Sequence, residues 1–289
     1  SNEIIPVVMY DEAPKGKIVI NKYAEKLDKV NVSNDGLIKT EFVYKKEPIK
    51  GVIFNLYADE NITNPDGESS DYYKKGELVG TYETNDKGVI EINDLPLGKY
   101  CVKEISTADG YILDDTERKV DISYKDQNES IVEFTTDYVN ERYKAKVDII
   151  KTELGKDIPV KGATFGLYVK EDILNDNGDV VINKDTLIEE IISDDTGCAE
   201  FTVDIPIGYS YYVKEVKAAS GYVSNDIVYD FKFSYKKDMD FVCHFSYAFE
   251  NDTTKVEISK VDIKTSTKND IQKFIKIVLN WGTKMYGFD

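Results

Sequence analysis

Short runs in which apolar residues alternate with polar ones recur along this chain, divided by turn signals such as DKG, PDG, DNG, DTG and ADG. Successive side chains of an extended segment point to opposite faces, so a period of two predicts strands with one buried face. GKIVINKY (16–23), GVIFNLY (51–57), LPLGKYCVKEI (95–105), AKVDIIKT (145–152) and IPIGYSYYVKEV (205–216) carry the pattern most clearly. Helical spacing appears only near the end, where Ile271, Phe274, Ile275 and Val278 fall on one helical face, although FIKIVLNW suits a strand equally. Short β-branched and aromatic runs between regular turns predict an all-β sandwich.

The runs repeat. GVIFNLY at 51 returns as GATFGLY at 162, VKE at 102 returns at 213, and ADGY at 108 returns as ASGY at 219, each 111 positions later. A constant offset means two copies of one unit. The expected organisation is an N-terminal tail (1–13), a first domain (14–142), a second domain (143–252) and an incomplete third repeat or tail (253–289). The last of these opens on a third strand-like run, TKVEISKVDI (254–263). The first copy carries an insertion at about 29–48, including the strand-like LIKTEFVYKKE. Such inserts are expected at the surface, where binding differences between repeats accumulate. The leading Ser-Asn reads as a remnant of excision from a longer protein.

Within the strands some polar residues stand in the apolar register. Ile18, Ile20 and Lys22 share a face, as do Val147, Ile149 and Lys151, and Val256, Ile258 and Lys260. Tyr100, Val102 and Glu104 share another, matched by Tyr211, Val213 and Glu215; Tyr138 aligns with Asn140, and Phe249 with Asn251. Taken singly, a lysine or glutamate at a strand end reaches to water and an asparagine after the last strand marks a turn. Three inward polar types repeating together would leave buried groups unpaired unless they satisfy one another.

Chemistry supplies a common purpose. Burial lowers the pKa of a lysine and raises that of a carboxyl, so a neutral amine can act as nucleophile beside a protonated acid. An asparagine amide needs its carbonyl polarised and its leaving nitrogen protonated, work suited to a neutral glutamic acid held between the two. Folding supplies the proximity. The product is a Lys–Asn isopeptide bond, with ammonia released.

The KIVINK opening, GVIFNLY, DLPLGKYCVKE, ADGY and the terminal asparagine together resemble the Cna protein B-type domains, also called SpaA-like or prealbumin-like, of Gram-positive surface adhesins and pilins. The resemblance runs from Gly16 to about Asp252. It implies tandem immunoglobulin-like β-sandwich domains of reversed topology, each with a first-strand lysine joined to a last-strand asparagine under the influence of an acidic residue. Carried over, it links Lys22 to Asn140 with Glu104 assisting, and Lys151 to Asn251 with Glu215 assisting. Lys260 matches the first-strand lysine but no VKE or terminal asparagine follows it, so it is expected to be unbonded. The family's Leu-Pro-x-Thr-Gly sorting signal, a YPKN pilin motif and the Cys-Gln pair of thioester domains do not occur in this sequence.

Composition narrows the alternatives. With 41% hydrophobic residues the chain can build real cores, and with 54 acidic against 37 basic residues its net charge of −17 repels nucleic acid and anionic membranes. Cys101, Cys198 and Cys243 lack metal or disulfide spacing and read as small hydrophobes or half-buried thiols. His244 has no evident nucleophile partner, and the acidic stretches 64–71 and 175–179 lack the full spacing of a calcium loop, so solvated turns are the default. No metal, cofactor, membrane insertion or turnover catalysis is expected. The leading expectation is a monomeric stalk or shaft module, self-cross-linked, on a Gram-positive cell wall, with other surface or pilus subunits as partners. The alternative is an adhesin domain whose loops recognise host extracellular matrix or glycan.

Overall fold

A computed structural model describes residues 14–64, 70–124 and 130–255. Strand β1 (Lys15–Asn34) buries every second residue from Gly16 to Ala24, as its alternation predicts, and turns back into β2 (Ile38–Pro48). There follow β3 (Ile53–Ala58), β4 (Leu78–Glu83), β5 (Val89–Leu95), β6 (Lys99–Ser106), β7 (Arg118–Asp121) and β8 (Ile131–Asn140). The second copy runs through β9 (Lys144–Glu153), β10 (Thr164–Val169), β11 (Ile173–Leu174), β12 (Val180–Ile182) and β13 (Leu187–Ile192). It closes with β14 (Cys198–Phe201), β15 (Ser210–Lys217), β16 (Val228–Lys232) and β17 (Val242–Asn251). The described fold is all-β.

In the first repeat β5, β1 and β8 form one layer and β4, β3, β6 and β7 the other. Ile18, Ile20 and Ile90 from one layer meet Phe54, Leu56, Tyr100 and Val102 from the other in one hydrophobic cluster. The second repeat places β14, β9 and β17 against β16, β15, β10 and β13, around Val147, Ile149, Phe165, Leu167, Tyr211 and Val213. In each repeat the first and last strands are parallel neighbours: Lys22 lies opposite Tyr138, and Lys151 opposite Phe249.

The insertion departs from expectation. Residues 31–37 at its tip are exposed, but the rest prolongs β1 and forms β2, which reaches the second repeat. Leu27 and Phe42 are buried in the second repeat's hydrophobic cluster, and Lys39 pairs with Glu189 of β13. The physical reason is edge capping: β13 would otherwise end its sheet with unpaired backbone groups, and the hairpin also accepts apolar cover there. Arg142, between the repeats and almost fully buried, stacks on the Tyr44 ring at 3.3 Å and pairs with Asp204 at 2.6 Å and Glu25 at 3.3 Å. Burial and the Arg142 and Lys144 charges act oppositely on the Asp204 carboxyl, and the cations prevail, holding it below its ordinary value.

Lys260 and the segment 264–289 lie outside the described residues, as does most of the acidic stretch 64–71. The other acidic stretch is a turn closed on itself, with Asn175 Oδ1 accepting from the Asn177 and Asp179 amides and Asp176 paired to Lys26 at 3.1 Å. His244 stands on the exposed face of β17.

Candidate cross-linking site

The two lysines are set in the same backbone frame. Lys22 donates its amide to the Gly88 carbonyl at 2.7 Å and accepts from Ile49 at 3.1 Å; Lys151 donates to Gly197 at 2.7 Å and accepts from Val160 at 3.0 Å. Gly88 and Gly197 come from the DKG and DTG turns and have φ of 69° and 75°. A Cβ on either would come within 2.5 Å of the lysine carbonyl oxygen, so only glycine permits this approach.

The glutamates are aimed by the turn before them. Tyr100 donates its hydroxyl to the Pro96 carbonyl at 2.6 Å and Tyr211 to that of Pro206 at 2.7 Å, tying each Leu/Ile-Pro-x-Gly turn to the strand that carries Glu104 or Glu215. Alternation then points both glutamates inward with Val102 and Val213.

In the first repeat Lys22, Glu104 and Asn140 meet, with 0%, 0% and 1% of their surface exposed. Lys22 Nζ lies 3.0 Å from Glu104 Oε2, and neither atom has a further hydrogen-bond partner. Asn140 Nδ2 donates to Glu104 Oε1 at 2.8 Å and to the Ile112 carbonyl. Its Oδ1 faces away, toward the Thr107 hydroxyl. Burial pulls the Lys22 amine below its usual value against the opposing pull of Glu104, and burial lifts the Glu104 carboxyl against Asn140 and Lys22. Both shifts favour the uncharged pair.

In the second repeat Asn251 Nδ2 donates to Glu215 Oε1 at 2.7 Å, the same contact, and Asn251 Oδ1 is buried without a partner. Glu215 Oε2 accepts the Asn225 amide at 2.8 Å. The Lys151 amine, lowered by burial against the charge of Glu215, donates instead to the carbonyls of Thr152 at 3.0 Å and Phe249 at 3.3 Å.

On the neighbouring strand an aromatic residue stands opposite each lysine, Tyr138 by Lys22 and Phe249 by Lys151. Tyr138 packs edge-on against Phe54 at 4.9 Å, and Phe249 tilts on Phe165 at 5.0 Å. Over Tyr138 lies the Arg118 guanidinium at 3.7 Å, donating to the Asp137 carbonyl; over Phe249 lies Tyr229, donating to the Ala248 carbonyl at 2.9 Å. The same place is filled by a cation in one repeat and a neutral phenol in the other. The alternation marks neither Thr107 nor Arg118, and the DKG and DTG turns announce Gly88 and Gly197 only as turn residues, not as neighbours of the lysines. The 111-residue offset does expose one usable signal, Thr107 standing where the second copy has Ala218.

The model of the SpaA prealbumin-like fold domain matches residues 36–138 and 145–243. The chain belongs to this family. The SpaA-type matches contain Glu104, Lys151 and Glu215 and stop short of Lys22, Asn140 and Asn251. Solved structures similar to this SpaA-type chain include the TIE protein of Bacillus anthracis, at 22% identity and a TM-score of 0.49, over 83% of this chain and 34% of that one. The chain thus spans about a third of that protein's length. Also similar are the shaft pilin SpaA of Lactobacillus rhamnosus GG (16% identity, TM-score 0.30, 84% of this chain and 100% of that one) and a minor pilin of Streptococcus agalactiae. The latter gives 17% identity and a TM-score of 0.29 over 86% of this chain and 100% of its own. No curated protein matches the chain.

Proposed function

We propose that this chain is a load-bearing stalk module of a Gram-positive surface adhesin or pilus, built from two domains, 14–142 and 143–252, of reversed immunoglobulin-like topology. Each domain closes itself with an isopeptide bond, Lys22 to Asn140 assisted by Glu104, and Lys151 to Asn251 assisted by Glu215. It acts once on itself and turns over no substrate. The observation that carries the reading is the buried contact of Glu104, from β6, with Lys22 and Asn140, which stand on the two parallel strands that begin and end the first repeat.

The chemistry follows from the contacts. Neutral Lys22 attacks Asn140 Cγ, Glu104 passes its proton to Nδ2 and takes one from the attacking amine, and the Cγ–Nδ2 bond breaks to release ammonia. Glu104 ends as it began. A loop of roughly 100–120 residues closed in this way stabilises each domain by about 5 kcal/mol through the unfolded state. Because β1 and β8 are parallel, tension entering at the start of β1 and leaving at the end of β8 would shear the ladder; the bond carries that tension from Lys22 directly to Asn140.

The site of action on this reading is outside the cell, on the cell wall, with other subunits of the parent protein or pilus as partners. The hairpin's seat on the second repeat weighs against the insertion as a ligand-binding loop and leaves only its tip, 31–37, for a host-matrix role. Intact mass under denaturing conditions tests the proposal: the expected value is the sequence mass less one ammonia per repeat. Glu104→Ala and Glu215→Ala should each restore one ammonia. A folded wild-type protein at its full sequence mass would sink the reading.

A further inference from the structure

The acid that serves this reaction touches only one side of the amide. Glu104 contacts Asn140 through Nδ2, and the Ile112 carbonyl, accepting from the same nitrogen, fixes the amide in that orientation. The carbonyl oxygen must therefore be polarised by something else. In the first repeat the Thr107 hydroxyl donates to Asn140 Oδ1 at 3.4 Å. In the second repeat the equivalent position is Ala218, and Asn251 Oδ1 is buried with no partner.

We propose that Thr107 is a further catalytic residue of the first repeat, whose hydroxyl stabilises the oxyanion that forms on Asn140 Oδ1 when Lys22 attacks, and that the second repeat reacts without this donor. The inference rests on the cross-linking reading above. As Nζ bonds to Cγ, the planar amide becomes tetrahedral and the C=O electron pair moves onto Oδ1. The hydroxyl, long for a ground-state hydrogen bond, then faces a full negative charge on the buried Asn140 side chain, where such a donor counts most. Collapse of the intermediate restores the carbonyl and expels Nδ2 as ammonia with the proton from Glu104. Thr107 gives up no proton; it only donates a hydrogen bond.

The two repeats act as controls for one another. Alanine already stands at the Thr107 position in the second copy and threonine at the Ala218 position in the first, both partly buried just beyond matching strands, so exchange keeps residue types that this backbone accepts. The experiment follows ammonia loss by intact mass on the full chain made by cell-free synthesis and acid-quenched at intervals, with linked peptides assigning each bond. Thr107→Ala should slow formation of the Lys22–Asn140 bond by roughly 100-fold. Thr107→Ser should hold the wild-type rate, and Ala218→Thr should speed the Lys151–Asn251 bond.

A Thr107→Ala rate equal to wild type, or a Thr107→Ser rate as slow as the alanine variant, overturns the inference while leaving cross-linking intact. Failure of Ala218→Thr to speed its bond counts against it as well. Absence of ammonia loss in every variant overturns the cross-linking reading and this inference together.

Discussion

Lys151 and Glu215 occupy the places of Lys22 and Glu104, yet they do not meet: the Lys151 amine rests on main-chain carbonyls while Glu215 Oε2 holds the Asn225 amide. The first repeat has its lysine within 3.0 Å of the acid. On the cross-linking reading, a side-chain rotation must bring Lys151 to Glu215 before the second repeat reacts, a step that the Lys22–Glu104 pair does not need. The expected result is a transient species one ammonia light, whose linked peptide joins Lys22 to Asn140. Finding the Lys151–Asn251 peptide first would contradict this order.

The rate in the first repeat should be bell-shaped in pH. Burial depresses the Lys22 amine and raises the Glu104 carboxyl, so both shifts favour the form of the pair that carries its one proton on the acid, and the reactive window lies between the pair's two titrations. Acid protonates the amine and removes the nucleophile; alkali strips the carboxyl and removes the proton for the leaving nitrogen. The depressed amine extends the window downward and the raised carboxyl extends it upward. A rate that climbs without limit toward high pH would take Glu104 out of the reaction.

Tension offers a separate readout. On the cross-linking reading, the residues between Lys22 and Asn140 are bypassed in wild type, so pulling the ends should not extend them. Asn140→Ala should release that segment, adding at most roughly 400 Å of contour on unfolding. It should also cost the first repeat about 5 kcal/mol against denaturant. Single-molecule traces with equal contour gain for wild type and variant would exclude the bond from the load path.

Phe42 belongs by sequence to the first repeat and by packing to the second. Phe42→Ala should therefore cost about 3–5 kcal/mol, felt across the junction. Hydrogen exchange should quicken in β10, β13 and β14, with β3 and β6 keeping their protection. Loss of protection confined to the first repeat would show that the hairpin does not brace its neighbour.

The sequence by itself determined the strands, the duplication and the inward register. Alternation put Lys22 with Ile18 and Ile20 and Glu104 with Tyr100 and Val102, and all six are buried, because a period of two leaves a side chain no choice of face once one face is core. It determined equally that Lys151, Glu215, Asn140 and Asn251 point inward. Which atoms then touch was decided only in three dimensions. Contacts such as Asn140 to Glu104 or Phe42 to the second core join residues far apart in the chain, and no local pattern encodes their distance.

The insertion shows this plainly: its β-like pattern was legible, but its partner strand β13 lies about 150 positions onward, and only packing reveals that edge as its seat. The rotated Lys151 and the one-sided approach of Glu104 to the amide are likewise tertiary facts, since rotamers and amide orientation follow from competing hydrogen bonds rather than from register. The pair Thr107 and Ala218 is readable in the sequence. The constant offset places them together; only the direction of Asn140 Oδ1 gives that difference a chemical meaning.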